Sequence, residues 1–277
     1  MGMGGVPGVP SGPEDLASTP DPENPATSQG VATSLFLLPY TQSMHHGHMI
    51  RRYKRFLMDV QLADGTVVTA HCPNSGSMLG CIGQGWPVML SAKPEGLPYT
   101  AEAVYDGTVW IGVHTGRCNA AARAAIELGF WPELAPPWTS IRHEAQVRPG
   151  VRLDLLLESP QRRVHVEVKH VTMALAEGLV CFPDARSSRA AKHMQTLQDL
   201  ARSGQEAAVI FMADRLDATM VAPCDSIDPV FGATLREAAA AGVLVLAGVM
   251  GPTPEGLLLQ GPLPMLLEEP TQARKAL

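Results

Sequence analysis

The stretch VHVEVKH, residues 164–170, alternates valine with histidine, glutamate and lysine. Side chains along a strand point to opposite faces in turn, so Val164, Val166 and Val168 share one face and His165, Glu167 and Lys169 the other. An acid and a base two residues apart on one strand face are either a solvated ion pair or half of an active site. The neighbouring segment decides between them. VRLDLLLE, residues 151–158, comes just before, across the linker SPQR, and puts Arg152 and Asp154 on one face. If the two strands pair, Asp154 lies beside Glu167. Two carboxylates that close repel each other, and a divalent cation is the usual remedy. Mg²⁺ suits such a site because it takes few carboxylates and fills its shell with water and phosphate oxygens. Lys169, about 7 Å along the strand from Glu167, is then placed to orient or deprotonate an attacking water, or to offset charge on a phosphorane.

Outward from this pair the pattern is α-β-β-β-α-β followed by α-β. NAAARAAIELGF (119–130) reads as a helix ending at Gly129, and SIRHEAQV (140–147) as a strand. SSRAAKHMQTLQDLARSG (187–204) has a serine cap and a glycine stop, the two ends of a helix. AAVIFMA (207–213) is a buried strand, DPVFGATLREAAAAG (228–242) a helix, and VLVLAGV (243–249) a last strand. This order predicts an α/β sandwich around a central sheet. Before residue 119 no useful helix is predicted. RRYKRFLMDVQLADGTVVTAHC (51–72) carries an Asp64–Gly65 turn between alternating runs, and PVMLSA, TAEAVYDG and TVWIGVHT add short strands. Such spacing predicts a small all-β barrel.

Composition narrows the function. The net charge is -6, which excludes a uniformly basic DNA-coating protein. Residues 1–50 hold no Lys or Arg and four of the 27 acids, so the remainder is close to neutral and any anion-binding surface is local. Five scattered cysteines, none in a CxxC pair, favour reduced thiols over a disulfide framework or structural zinc. No apolar run approaches a membrane span, and signal-peptide and transit-peptide features are missing. The expectation is a cytoplasmic protein without a membrane partner, an organelle being the alternative. Residues 1–34, rich in Pro, Gly, Ser and Thr, are expected to be a disordered tail.

Arg51, Arg52, Lys54 and Arg55 surround Tyr53 in the densest cationic cluster of the chain, a pattern suited to gripping phosphates and stacking a base. The alternative is a charged edge strand. MHHGHM (44–49) is expected to be a solvated histidine cluster. In CPNSGSMLG (72–80) the backbone offers either an anion nest or a tight turn. Arg189, Lys192 and His193 fall on one helix face, within reach of DNA phosphate near Lys169. Asp184 is expected to cap that helix. His165 shares the Glu167 face and is expected near substrate, while His170 is expected to pack. Glu144 is a further carboxylate for the site.

The ordered pieces RRYKRFLMDV, AHCPNSGSMLGC, RLDLLL, VEVKHVT, FPDA and KHM, with IDP (227–229) and GVLVLA (242–247), resemble the sugar fermentation stimulation protein A family over roughly residues 50–250. HCPNSGSM is the most telling piece, since no generic fold demands it. The resemblance implies an OB-like β-barrel followed by a restriction-endonuclease-like domain of the Asp…Glu-x-Lys nuclease type, and it implies DNA binding with a regulatory role. The expected boundaries are a tail at 1–34, the barrel at 35–115, the nuclease-like α/β domain at 116–264 and a flexible tail at 265–277. Asp154, Glu167 and Lys169 carry the family's catalytic positions, with Asp154 and Glu167 as ligands of Mg²⁺ or Mn²⁺. Arg152, Lys192 and His193 match as well. The chain departs from the family at Ala124, where a glutamate is usual, and at Ser188, Ala190 and Ala191, where Glu, Gly and Gln are usual. A basic loop of the relatives is missing too. The functional expectation is a DNA-binding protein, single- or double-stranded, with a nuclease-like metal site. The alternatives are an active Mg²⁺/Mn²⁺-dependent nuclease on DNA or RNA, and a non-nucleic-acid binding module built on the barrel.

Overall fold

A computed structural model of the chain describes Met1 and residues 35–270; the expected tail at 1–34 lies outside them apart from Met1, and so does 271–277. The first seven strands are β1 (Phe36–Pro39), β2 (Met44–Tyr53), β3 (Leu57–Leu62), β4 (Val67–His71), β5 (Pro87–Ala92), β6 (Tyr99–Tyr105) and β7 (Trp110–Gly112). Next come α1 (Thr115–Glu127), β8 (Ser140–Arg148), β9 (Val151–Glu158), β10 (Arg163–Val171), β11 (Met173–Ala176), β12 (Leu179–Phe182) and α2 (Ser188–Arg202). The chain continues through β13 (Glu206–Asp214), β14 (Met220–Pro223), α3 (Pro229–Ala240), β15 (Leu244–Pro252) and β16 (Gly256–Leu263). Among the described residues no helix is long and apolar enough to cross a membrane.

Strands β2 to β6 close into the expected OB-like barrel in the order β4-β3-β2-β5-β6, sealed where Ala70 and His71 pair in parallel with Tyr99 and Thr100. Met49, Met58, Val60, Val88, Leu90 and Ala101 fill its interior. The Asp64–Gly65 turn forms as its chemistry dictates: Gly65 has φ +85, and the Asp64 carboxylate accepts from the Thr66 N–H at 2.9 Å. A second turn had no such signal. The cationic run 51–55 is not one strand, because Lys54 and Arg55 have φ of 49 and 65 and turn β2 into β3. The barrel also does not begin at residue 35, as the sequence led us to expect. Phe36–Pro39 instead pairs antiparallel with β16 at the edge of the other domain's sheet. The alternation that suggested a barrel starts only at β2.

That sheet has seven strands in the order β1-β16-β15-β13-β10-β9-β8, with β10, β13 and β15 parallel. α1 covers one face, where Val164, Val166 and Val168 pack with Ile126, Trp131, Leu155 and Ile210. α2 and α3 cover the other, where their Met194, Leu197 and Phe231 pack with Val209 and Phe211 of β13. Both faces are therefore buried, as expected of parallel strands. Ser187 caps α2 by accepting from the Ala190 N–H, and Asp228 caps α3 with Pro229 in its first turn. α1 starts at Thr115, earlier than its alanine pattern suggested, and Gly129 (φ +74) follows its end. A small sheet of β11, β12 and β14 was not anticipated. Beyond β16, residues expected to open a flexible tail lie against the domain: the Leu266 N–H donates to the Val221 carbonyl at 2.8 Å, and Glu269 is buried and bonded to Ser226.

Barrel and sheet are joined by buried polar contacts. Glu102 of β6 is 3 % exposed and accepts from Arg117 of α1 through both oxygens at 2.7 Å, from His114 at 3.0 Å and from Ser91 at 2.7 Å. Burial alone pushes the Glu102 carboxyl up, but the Arg117 and His114 contacts outweigh it and bring it down to about 2. Because the folded value lies below the ordinary one, this contribution is fully present above about pH 5 and disappears as pH falls toward about 2. It amounts to roughly 3 kcal/mol. Urea unfolding of the wild type and Glu102→Gln should therefore show a large stability gap near neutral pH that closes as the buffer is acidified. A gap that stays constant with pH would show that the ionised form contributes nothing.

Candidate active site

The ladder between β9 and β10 runs only from Arg163 opposite Glu158 to Val166 opposite Leu155. Past Val166, β10 keeps its partner β13 as far as Val171, whereas β9 stays with β8. The two strands fork. At the fork the Val168 N–H has lost its backbone acceptor, and Asp154 Oδ2 takes its place at 2.8 Å. Asn119 of α1 donates to Asp154 Oδ1 at 3.0 Å. An uncovered strand edge gives access to side chains of both faces, and Glu167, Val168, Lys169 and His170 all line one cleft of about 1100 Å³. Cys118 and Asn119 of α1 line the same space, as do Arg152 of β9, Arg189, Lys192 and His193 of α2, and Ser75 of the barrel.

The acid–base pair on β10 is not a solvated one: Glu167 and Lys169 are 3 % and 8 % exposed. Lys169 Nζ donates to Glu167 Oε1 at 2.5 Å, and His193 Nδ1 donates to the same oxygen. Oε2 of Glu167 is buried and has no partner among the described residues. Burial pushes the Glu167 carboxyl up, but the charge of Lys169 and the contact with His193 hold it below the ordinary range. Asp154 moves the other way, raised by burial and then by the negative charge of Glu167. A cation fits this arrangement, since it would meet the unpartnered Oε2 and remove the repulsion that raises Asp154. Among the described residues no group of three or more His, Cys, Asp or Glu converges, so a cation here would have Asp154 and Glu167 as its carboxylate donors. That set matches an ion that keeps much of its water, as Mg²⁺ does.

Other expected residues are distributed unevenly. Arg152, Arg189 and Lys192 are exposed on the cleft rim, and Glu144 sits there too, 3.9 Å from Arg152. His193 does not face solvent beside them but holds Glu167. His165, expected near substrate, is buried against Gln205 at 3.3 Å and does not line the cleft. His170, expected only to pack, does line it. Ala124 packs with the apolar residues under α1, and Asn119 is the polar α1 residue that reaches Asp154. No spacing rule singled out Asn119, because it stood at the expected start of the helix.

None of residues 51–55 lines the cleft, and Arg51, Arg52 and Tyr53 are engaged within the barrel. Arg52 donates to the carbonyls of Asn74 at 2.7 Å, Gly76 at 3.0 Å and Ser77 at 3.3 Å. Arg51 pairs with Asp59 at 2.8 Å and covers the Tyr53 ring at 4.7 Å, while the Tyr53 hydroxyl donates to Asp59 at 3.2 Å. The loop that Arg52 organises does hold an anion, but a resident one. The Asp184 carboxylate accepts from the Met78 N–H at 2.8 Å and from Ser77 Oγ at 2.9 Å. Asp184 thus latches the barrel to the α2 approach, and the cap of α2 is Ser187 instead.

Residues 50–113 match the family described as the SfsA N-terminal OB domain, and residues 116–256 match the sugar fermentation stimulation protein RE domain. The chain belongs to the sugar fermentation stimulation protein family. Its similarity to a sugar fermentation stimulation protein homolog of Thioalkalivibrio sulfidiphilus is 45 % identity over 216 residues, 76 % of this chain and 91 % of that one. For the homolog of Geotalea uraniireducens it is 47 % over 219 residues, 78 % and 94 % of the two chains. A solved structure of Pyrococcus furiosus SfsA in complex with Ca²⁺ superposes with a TM-score of 0.75 at 24 % identity, covering 83 % of this chain and 98 % of that one. The family resemblance and the barrel-plus-α/β fold read from the sequence are both borne out.

The latch is testable by itself. Removing the Asp184 carboxylate leaves the Met78 amide without its acceptor, whereas the Ser77 hydroxyl keeps the Asp184 backbone carbonyl at 2.8 Å, and hydrogen bonds to charged groups contribute about 1.5–3 kcal/mol. In Asp184→Ala the Met78 amide should exchange with deuterium at least about tenfold faster, while amides of β13 keep their protection. Unchanged Met78 exchange would show that the loop holds itself in place.

Proposed function

We propose that this family member binds nucleic acid in the cleft at the β9–β10 fork and hydrolyses phosphodiester bonds there with Mg²⁺ or Mn²⁺. One observation carries the reading: Asp154, Glu167 and Lys169 meet at an opened strand edge, with a buried carboxylate oxygen left without a partner and a rim of Arg152, Arg189 and Lys192. Asp154 and Glu167 would hold the cation, and a divalent ion there supplies Lewis acidity and offsets phosphate charge. Lys169 Nζ, already at Glu167 Oε1, moves from that contact to a phosphate oxygen or the attacking water. The rim cations grip flanking phosphates, and DNA and RNA both offer them. The Ca²⁺ in the Pyrococcus furiosus structure supports a cation in this family. Five buried, free cysteines support a reducing compartment such as the cytoplasm.

Calorimetry should show Mn²⁺ binding to the wild type and none to Asp154→Asn. Lys169→Ala should bind a single-stranded oligonucleotide as the wild type does but cleave it at least about 10²-fold more slowly. Equal Mn²⁺ affinity in wild type and Asp154→Asn would remove the shared site. Wild-type cleavage that survives Lys169→Ala would remove the role of the lysine.

A second reading, nucleic-acid binding with a regulatory role and no cleavage, is favoured by the two donors already on Glu167 and by the lack of a glutamate at Ala124. Under either reading affinity should fall steeply with salt as phosphate contacts release counterions. Because Arg51 and Arg52 are engaged within the barrel, Arg189→Ser/Lys192→Ser should flatten that dependence more than Lys54→Ser/Arg55→Ser does. The reverse order, read from binding isotherms at several salt concentrations, would move the binding surface to the barrel. Salt-independent capture of a carbohydrate or protein ligand would instead support a non-nucleic-acid module.

A further inference from the structure

His170 stands on the opposite side of the opened β10 edge from Lys169, and both line the cleft. The His170 side chain is 10 % exposed, and Nε2 donates to Asp214 Oδ2 at 2.8 Å. Asp214 ends β13, is 1 % exposed, and keeps its other oxygen buried without a partner among the described residues. Space for it comes from β7 of the barrel, where a Cβ on Gly112 would stand 1.9 Å from Asp214 Oδ2. A buried polar atom left without a protein partner is a cost that calls for an explanation. What the pair does achieve is a fixed imidazole. Nε2–H is committed to Asp214, which leaves Nδ1 as the ring nitrogen outside that bond. The neighbouring cleft groups are occupied otherwise. Asp154 and Glu167 would hold the cation, Lys169 and His193 both sit on Glu167, and arginine does not release its proton.

We propose that His170, positioned by Asp214, is the catalytic acid that protonates the leaving sugar oxygen; this rests on the hydrolytic reading above. As the oxygen of a water bonds to phosphorus, the bond from phosphorus to the leaving oxygen breaks and its electron pair stays on that oxygen. His170 Nδ1 delivers a proton to it. The attacking water releases one proton to solvent and the imidazole takes one back, so each turnover balances. Asp214 is a positioning residue that holds the ring and offsets the charge of the imidazolium.

A leaving group that needs no proton separates this role from a structural one. Two sets of short single-stranded oligonucleotides differ only in carrying oxygen or sulfur as the bridging leaving atom, with sulfur placed on either side of the phosphorus. With Mn²⁺ and the full-length chain, His170→Gln should slow cleavage of the oxygen substrate by about 10²-fold or more. Cleavage of the sulfur substrate should stay within about threefold of wild type, since a thiolate leaves unassisted. Asp214→Asn should show the same selectivity with a smaller loss. Added imidazole should restore part of the activity of His170→Ala on the oxygen substrate. Equal losses on both substrates, or no loss on the oxygen substrate, would overturn the assignment. Wild-type chain that cleaves neither substrate would instead overturn the hydrolytic reading on which it rests.

Discussion

The site depends on one hydrogen bond, from the Val168 N–H to Asp154 Oδ2. Where β9 and β10 part, a backbone donor in the middle of a sheet is left without its ladder partner, and a buried amide in that state is costly. A side-chain carboxylate that replaces the ladder acceptor stabilises the fork. The same bond anchors the first of the two site carboxylates, so the feature that opens the cleft also orients the group inside it. The second carboxylate comes from the strand that continues, one residue before the amide. Fork and carboxylate pair therefore form a single local device.

The chemistry of the cleft follows from how differently its two acids are compensated. Glu167 is surrounded by donors and holds its negative charge easily, while Asp154 sits beside that charge with only amide donors. An asymmetric pair of this kind has one oxygen to offer at full charge and one carboxylate relieved when a cation arrives. The barrel completes the surroundings without supplying the central groups. It contributes Ser75 to the cleft wall and Gly112 beneath Asp214.

Much of this was legible in the chain. Alternation in 164–170 and the Asp-Gly turn at 64–65 each carry a direct physical signal, and the Asp…Glu-x-Lys spacing places three groups once the strands are known to pair. What stayed hidden depends on contacts between segments far apart in sequence. Asp214 reads as the end of a strand, and only its meeting with His170, 44 residues earlier, gives it a partner. Asp184 reads as a cap because it precedes a helix, yet the amide it accepts from lies in a loop 106 residues away. The run 51–55 misled for a different reason. Its turn uses lysine and arginine in the left-handed region, where glycine or asparagine would have announced it. A count of cations there overstates the free charge, since Arg52 is occupied by three carbonyls of the neighbouring loop.

The position of β1 makes the barrel an insertion. Phe36–Pro39 is laid down before any barrel strand, yet it is the outermost strand of the sheet that the rest of the chain builds. The two ends of the barrel are thus both tied to the same body, one through β1 and the other through β7 into α1. A fragment beginning at α1 would strip β16 of its outer neighbour and leave Leu257, Leu258 and Leu259 with one bare hydrogen-bonding edge, the other held by β15. Such an edge recruits strands from other copies. The boundary between barrel and α/β domain along the chain therefore does not coincide with the limits of the sheet, whose outermost strand precedes the barrel.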